Sequence, residues 1–213
     1  MPVKDEKEKS NFDRMCDHAR LMFTEYERES LAGKYGLPFD DSYIYINFFS
    51  SPFRVERATG NVFERAGDSW IPADAACAMT FYDVLCYGRR SAKATGEYVN
   101  INSLVHMISA TGNPGDGFNS RSEKLFDGKE RELHAALLSM HGTPCGKGDV
   151  AYQLPMFDFM DCRFQFWNSD DEFPASLNFF TDTGILDYMH YETVWYTVSW
   201  FLKKLERLAG LRT

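Results

Sequence analysis

The chain has 213 residues, with 23 Lys and Arg against 31 Asp and Glu, a formal charge of −8. That balance argues against a nucleic-acid partner, which needs a basic face. The 44% share of apolar residues offsets the entropy of ordering and argues against disorder. The most apolar stretch, Ala75–Tyr87, is shorter than the roughly 20 residues a membrane span needs and carries Asp83, so no membrane partner is expected.

Residues 1–11 are charged, lack the apolar core of a secretory leader and are expected to form a flexible N-terminus. Phe12, Met15, Cys16, Ala19, Met22, Phe23 and Tyr26 recur at helical spacing, predicting an amphipathic helix that ends near Gly33 or Gly36. Residues 43–65 read as an antiparallel meander, with a buried strand at Tyr43–Phe49, alternation through Phe53 and Val55, and a turn at 58–61. Pro72 then opens a buried helix over Ala73–Tyr87, stopped by Gly88. A short strand fits Glu97–Ile101, and residues 109–120 form a glycine-rich loop. Asp127-x-x-Glu130 has the spacing of a capping box for a helix to His141.

Alternation predicts half-buried strands at Val150–Leu154 and Met160–Trp167, and Leu177–Phe180 reads as another. The last helix is the clearest element: Tyr191, Val194, Trp195, Val198, Phe201, Leu202, Leu205 and Leu208 make one stripe. Lys203, Lys204 and Arg207 suit its C-terminal dipole, and Gly210 suits the cap. The high aromatic content reads as core packing. No repeat or linker divides the chain. The expected fold is therefore α+β: a single domain over 12–213, with a mostly antiparallel sheet packed by a buried helix and by long N- and C-terminal helices.

Several groups could carry chemistry. His141, Cys145 and Lys147 lie close enough in sequence to suggest an activated thiol, although the same run reads as a helix end entering a glycine-rich turn. Asp170, Asp171 and Glu172 could hold a cation or act in acid–base work, but they lack the alternating ligands of a calcium loop and also read as a solvated turn closed by Phe173-Pro174. The loop at 112–118, with Arg121 and Lys124 downstream, could bare N–H groups to an anion but matches neither the Walker nor the dinucleotide pattern. The five histidines show no metal-binding spacing, so no metal site is expected and no cofactor is identified. Five scattered cysteines without a Cys-x-x-Cys pair fit free thiols in a reducing cytoplasm.

The segment from Phe166 to Asp182, an apolar strand, an acidic turn ending in Phe173-Pro174 and a strand holding Asn178, resembles the Domain of Unknown Function 3786 family. Thr95-Gly96-Glu97 resembles that family's Thr-Gly-Glu-aromatic segment, and Gly148-Asp149-Val150 its Gly-Asp step before a strand. The resemblance covers most of residues 12–208. It implies an uncharacterised bacterial or archaeal protein, common in anaerobes, with some relatives joined to a four-cysteine iron–sulfur domain of the kind found in corrinoid one-carbon proteins. The scattered cysteines of this chain cannot supply such a cluster.

The expected function is a non-catalytic accessory or binding module for a small molecule or a protein partner. The resemblance associates it with anaerobic redox or one-carbon metabolism. The candidate binding residues are Asp149, Asp171, Glu172, Phe173, Arg121, His141 and Cys145. The competing expectation is a transferase or hydrolase in which Asp149, Asp171 and Glu172 converge near Arg121 or His141.

Overall fold

The computed structural model describes residues 10–104 and 119–211. The expectations for residues 1–9 and for the loop from 109 to 118 lie outside the described residues, as does one of the five histidines, His106.

Helix α1, Asn11–Glu25, starts on a capping box in which Ser10 Oγ accepts from Asp13 N while Ser10 N donates to the Asp13 carboxylate, both at 3.1 Å. The chain turns extended at Tyr26 and resumes as α2, Arg28–Gly33, so two helices stand where the periodicity predicts one. Of the predicted stripe on α1 only Phe23 is fully buried, while Met15, Met22 and Tyr26 are exposed.

The meander runs through β1 (Tyr43–Phe48), β2 (Ser51–Glu56) and β3 (Val62–Ala66), and extends to β4 (Ser69–Pro72). Pro72 therefore ends an edge strand, where a missing N–H costs little, instead of opening a helix. Helix α3, Ala75–Tyr82, begins three residues later, with Asp74 Oδ1 accepting from Cys77 N at 2.8 Å. It widens into a π-helical turn at Asp83–Tyr87 and stops at Gly88.

After β5 (Tyr98–Asn100) come α4 (Ile101–Leu104), α5 (Ser120–Phe126) and α6 (Glu130–Ser139). The capping box predicted for α6 does not form: Lys129 is its N-cap, and the Asp127 carboxylate accepts from Ser169 N at 2.9 Å and Ser169 Oγ at 2.6 Å. A tertiary partner has displaced the local one. The chain ends with β6 (Thr143–Pro144), β7 (Val150–Phe157), β8 (Met160–Trp167), β9 (Ser176–Asp182) and α7 (Tyr191–Leu208).

The sheet is antiparallel throughout, in the order β4-β3-β2-β1-β7-β8-β9-β5, with β6 paired to β7. It consists of two meanders joined where Phe48 faces Phe157. Alternate residues, such as Ile44, Ile46 and Phe48 on β1 and Cys162, Phe164 and Phe166 on β8, are buried on one face. Rings from α3 and α7 meet them there: Phe81 lies 5.5 Å and Trp200 4.7 Å from Phe48, and Phe201 lies 5.6 Å from Phe164. Most of the large fully buried side chains are phenylalanines, so the aromatic content serves chiefly as core packing. The opposite face is open, and Gln153, Arg163, Gln165, Asn178 and Phe180 stand on it half-buried.

Candidate functional site

The acidic turn is closed locally at Asp170 and tied to the rest of the fold by bonds from distant segments. Gly148 has φ +143°, and a Cβ there would stand 3.1 Å from both Gln165 Cγ and Phe166 O, so the step into β7 requires glycine. Asp149 then reaches across to the end of β8, where its Oδ2 accepts from Asn168 N at 2.7 Å. Asn168 is a junction. Its amide also donates to Glu130, and its oxygen accepts from Gly128 N at 2.8 Å, which ties the start of α6 to the turn. The side-chain and backbone bonds from Ser169 hold the Asp127 carboxyl below its ordinary range. Asp170 Oδ1 accepts from Glu172 N at 2.8 Å and Phe173 N at 2.7 Å, an Asx-type closure that Pro174 follows.

These bonds shape an open hollow of about 690 Å³, walled by Asp149, Trp167, Asn168, Asp170, Phe173 and Pro174 among others. Trp167 is 41% exposed and Phe173 66% exposed. Trp167 pairs with Ser176 at outward positions, so the hollow lies at one end of the open sheet face. Among the described residues no Lys or Arg forms an ion pair with Asp149, Asp170, Asp171 or Glu172. Two aromatic rings beside unneutralised carboxylates make a place where a cation is favoured.

The structure brings together only part of the predicted set. Asp149 and Phe173 wall this hollow, whereas Asp171 and Glu172 are exposed on the turn and are not among its walls. Arg121, on α5, points to Glu206, with 3.9 Å between Nη2 and Oε2. His141 follows α6 in a left-handed conformation, φ +59°, and its Nδ1 lies 3.1 Å from Ser50 Oγ in a separate hollow with Asn47 and Asp158. Cys145 sits in a third hollow, on the open sheet face beside Arg163. Burial raises the Cys145 pKa, with Arg163 opposing it, the reverse of the lowered pKa that activates a nucleophilic thiol. Among the described residues no three His, Cys, Asp or Glu side chains are grouped to hold a metal ion.

Trp167, Asn168 and Arg163 are absent from the sequence-derived set. The alternation of β8 marks Trp167 and Arg163 as outward-facing, but it does not show what stands opposite them.

The Thr95-Gly96-Glu97 segment has a structural role. Asp182, only 2% exposed, accepts from Thr95 N, Gly96 N and Gly184 N at 2.8 Å each and from Thr95 Oγ1 at 3.0 Å. Burial pushes the Asp182 pKa up, but these four bonds outweigh it and leave the carboxyl below its ordinary value. Its stabilisation is therefore complete above the unfolded pKa of about 3.9 and disappears as pH falls through the folded value. Asp182→Asn turns an NH2 toward donors and is expected to cost about 2–4 kcal/mol near neutrality. Urea midpoints measured from pH 3 to 7 should show the gap to wild type closing as the solution is acidified.

Fold and surface define an α+β protein with one sheet face under helices and hollows on the other. The chain belongs to the family described as Domain of unknown function (DUF3786), whose model matches residues 27–204. All three segments that carry the resemblance fall inside the match. No curated protein and no solved structure matches the chain. No described helix is long and apolar enough to cross a membrane.

Proposed function

We propose that this protein is a non-catalytic accessory module that docks a basic segment of a partner protein on the acidic turn. The observation that carries this reading is the exposure of Trp167 and Phe173 in one hollow with carboxylates that, among the described residues, no basic side chain neutralises. A lysine or arginine entering the hollow gains ring contact worth about 0.5–2 kcal/mol. Asp171 and Glu172 on the rim add long-range attraction that speeds encounter and weakens with salt. The resemblance implies a setting among anaerobic redox or one-carbon proteins, where the partner is sought.

The enzymatic alternative draws no support from this geometry. Asp149 is bonded to the backbone of Asn168, and Asp171 and Glu172 stand outside the hollow's walls.

The test is quantitative co-purification from the native host with wild type, Trp167→Ala and the double variant Asp171→Lys/Glu172→Lys. The expected result is a partner held by wild type, released as salt rises, and reduced about tenfold or more by either variant, a loss of roughly 1.4 kcal/mol. A partner retained equally by all three proteins sinks the reading.

A further inference from the structure

The open sheet face carries a second feature, independent of the acidic turn. The registers set Gln153, Arg163, Phe180 and Asn100 side by side across β7, β8, β9 and β5. Arg163 is the cation in this row, and its neighbours fix it in place. Its Nε donates to Gln153 Oε1 at 3.3 Å, and its guanidinium carbon lies 3.9 Å from the centre of the Tyr98 ring. Gln153 is itself held by donating to Asp161 Oδ2 at 2.8 Å, so the nearest carboxylate along the strand engages the amide instead of the arginine. Among the described residues no carboxylate lies within 4.0 Å of the Arg163 guanidinium nitrogens, and its terminal N–H groups donate to no protein acceptor.

Arginines on protein surfaces ordinarily find water or a loosely held carboxylate. This one is half-buried in a hollow of about 180 Å³ whose walls include Tyr98, Phe180, Gln165 and Cys145. That space equals about six waters at ~30 Å³ each, the scale of a small organic acid. Two rings flank the hollow and favour a flat ligand. A guanidinium already fixed by a ring and a hydrogen bond loses little freedom when it grips an oxyanion with two parallel bonds. The Cys145 thiol, kept protonated by burial, adds no competing negative charge.

We propose that Arg163 is the anchor of a binding site for a small, flat carboxylate on the outer face of the sheet. The site stands four residues along β8 from Trp167, about 13 Å away at ~3.3 Å per residue, so it does not depend on the acidic turn.

The probes are benzoate, with neutral benzamide as its match, and inorganic phosphate to separate carboxylate from general oxyanion binding. Ligand-observed NMR on the full chain should show benzoate binding near a millimolar Kd and benzamide not binding. Arg163→Gln should weaken benzoate by about tenfold or more, as expected for losing a charge-assisted pair, while Arg163→Lys keeps an intermediate affinity. Benzoate should also slow alkylation of Cys145 by iodoacetamide at alkaline pH without protecting Cys16 on α1. Circular dichroism establishes that Arg163→Gln is folded. Three outcomes overturn the proposal: equal binding by folded Arg163→Gln, binding without protection of Cys145, or no binding of benzoate by wild type. Phosphate binding as tight as benzoate overturns the carboxylate assignment. None of these readouts involves Asp171, Glu172 or a partner protein.

Discussion

Replacing Phe48 by alanine is expected to lower stability by about 3–5 kcal/mol, the range for truncating a fully buried aromatic residue. Phe48 is inaccessible to solvent, and its ring lies 4.7 Å from Trp200, 4.8 Å from Phe49, 4.9 Å from Phe157 and 5.5 Å from Phe81. It therefore touches β7, α3 and α7 at once. It is also the residue of β1 that stands in register with β7, so it sits on the seam between the two meanders. Alanine leaves a cavity bounded by rings that cannot all move inward, because each is packed by other elements. Phe48→Leu, which refills part of the volume, should cost clearly less. Urea unfolding followed by tryptophan fluorescence measures both, and amide exchange should quicken first along β1 and β7. A loss below about 1 kcal/mol for Phe48→Ala would show that the seam is not the centre of the core.

Elements with an uninterrupted period were legible in the sequence. The stripe of α7 and the alternation of β8 are each carried by eight or more residues, and both elements stand where the pattern put them. Short or composite elements were not. Strand β4 has four residues and ends in a proline that locally favours a helix start. The π-helical turn after α3 has the same apolar composition as the α-helix it continues. Helix α5 follows a run rich in Gly, Asn and Ser that locally favours turns.

The site shows the same division. The turn chemistry around Phe173-Pro174 was visible because it is local. Which carboxylates share a hollow depends on Asn168, which binds Asp149 on one side and Gly128 and Glu130 on the other, so that three stretches of chain meet there. His141 and Cys145 are four residues apart in sequence yet stand in different hollows. Between them β6 carries the chain from the end of α6 to the sheet.

Lys204 illustrates the limit most clearly, because helix position shows only a cation that complements the dipole of α7. The structure buries it to 7% exposure. Its Nζ donates to Phe49 O and, at 2.8 Å, to Ser51 Oγ, and it stands 5.4 Å from the Trp200 ring centre. Those acceptors belong to the β1–β2 hairpin, whose turn residues Phe49 and Ser50 have φ of +45° and +61°. Non-glycine residues in that region cost on the order of 1–3 kcal/mol each and persist where surrounding contacts over-determine them. Here the contacts are the lysine, a bond from Phe49 N to Met156 O at 3.0 Å, and one from Ser50 Oγ to Met140 O at 2.7 Å.

Burial lowers the Lys204 pKa to about 8, against the opposing pull of Glu64. An unfolded lysine titrates near 10.4, so between these values the unfolded chain binds more protons and the Lys204 contribution to stability rises with pH. It is complete above about 10.4 and lost as pH falls through the folded value. Cys16 and Cys86, raised by burial to about 11, act in the opposite sense, since their contribution is lost as pH rises above the unfolded thiol value of about 8.5. The wild-type profile alone is therefore a composite, and Lys204→Met isolates the lysine. Near pH 7 the variant leaves Phe49 O and Ser51 Oγ without their donor and is expected to lose about 1–3 kcal/mol. The gap to wild type should widen by about 2–3 kcal/mol between pH 7 and pH 10, because only the wild type sheds a buried proton on that interval. Paired urea titrations across that range measure the gap, and one that stays flat or narrows would mean that the lysine remains charged and solvated in the folded protein.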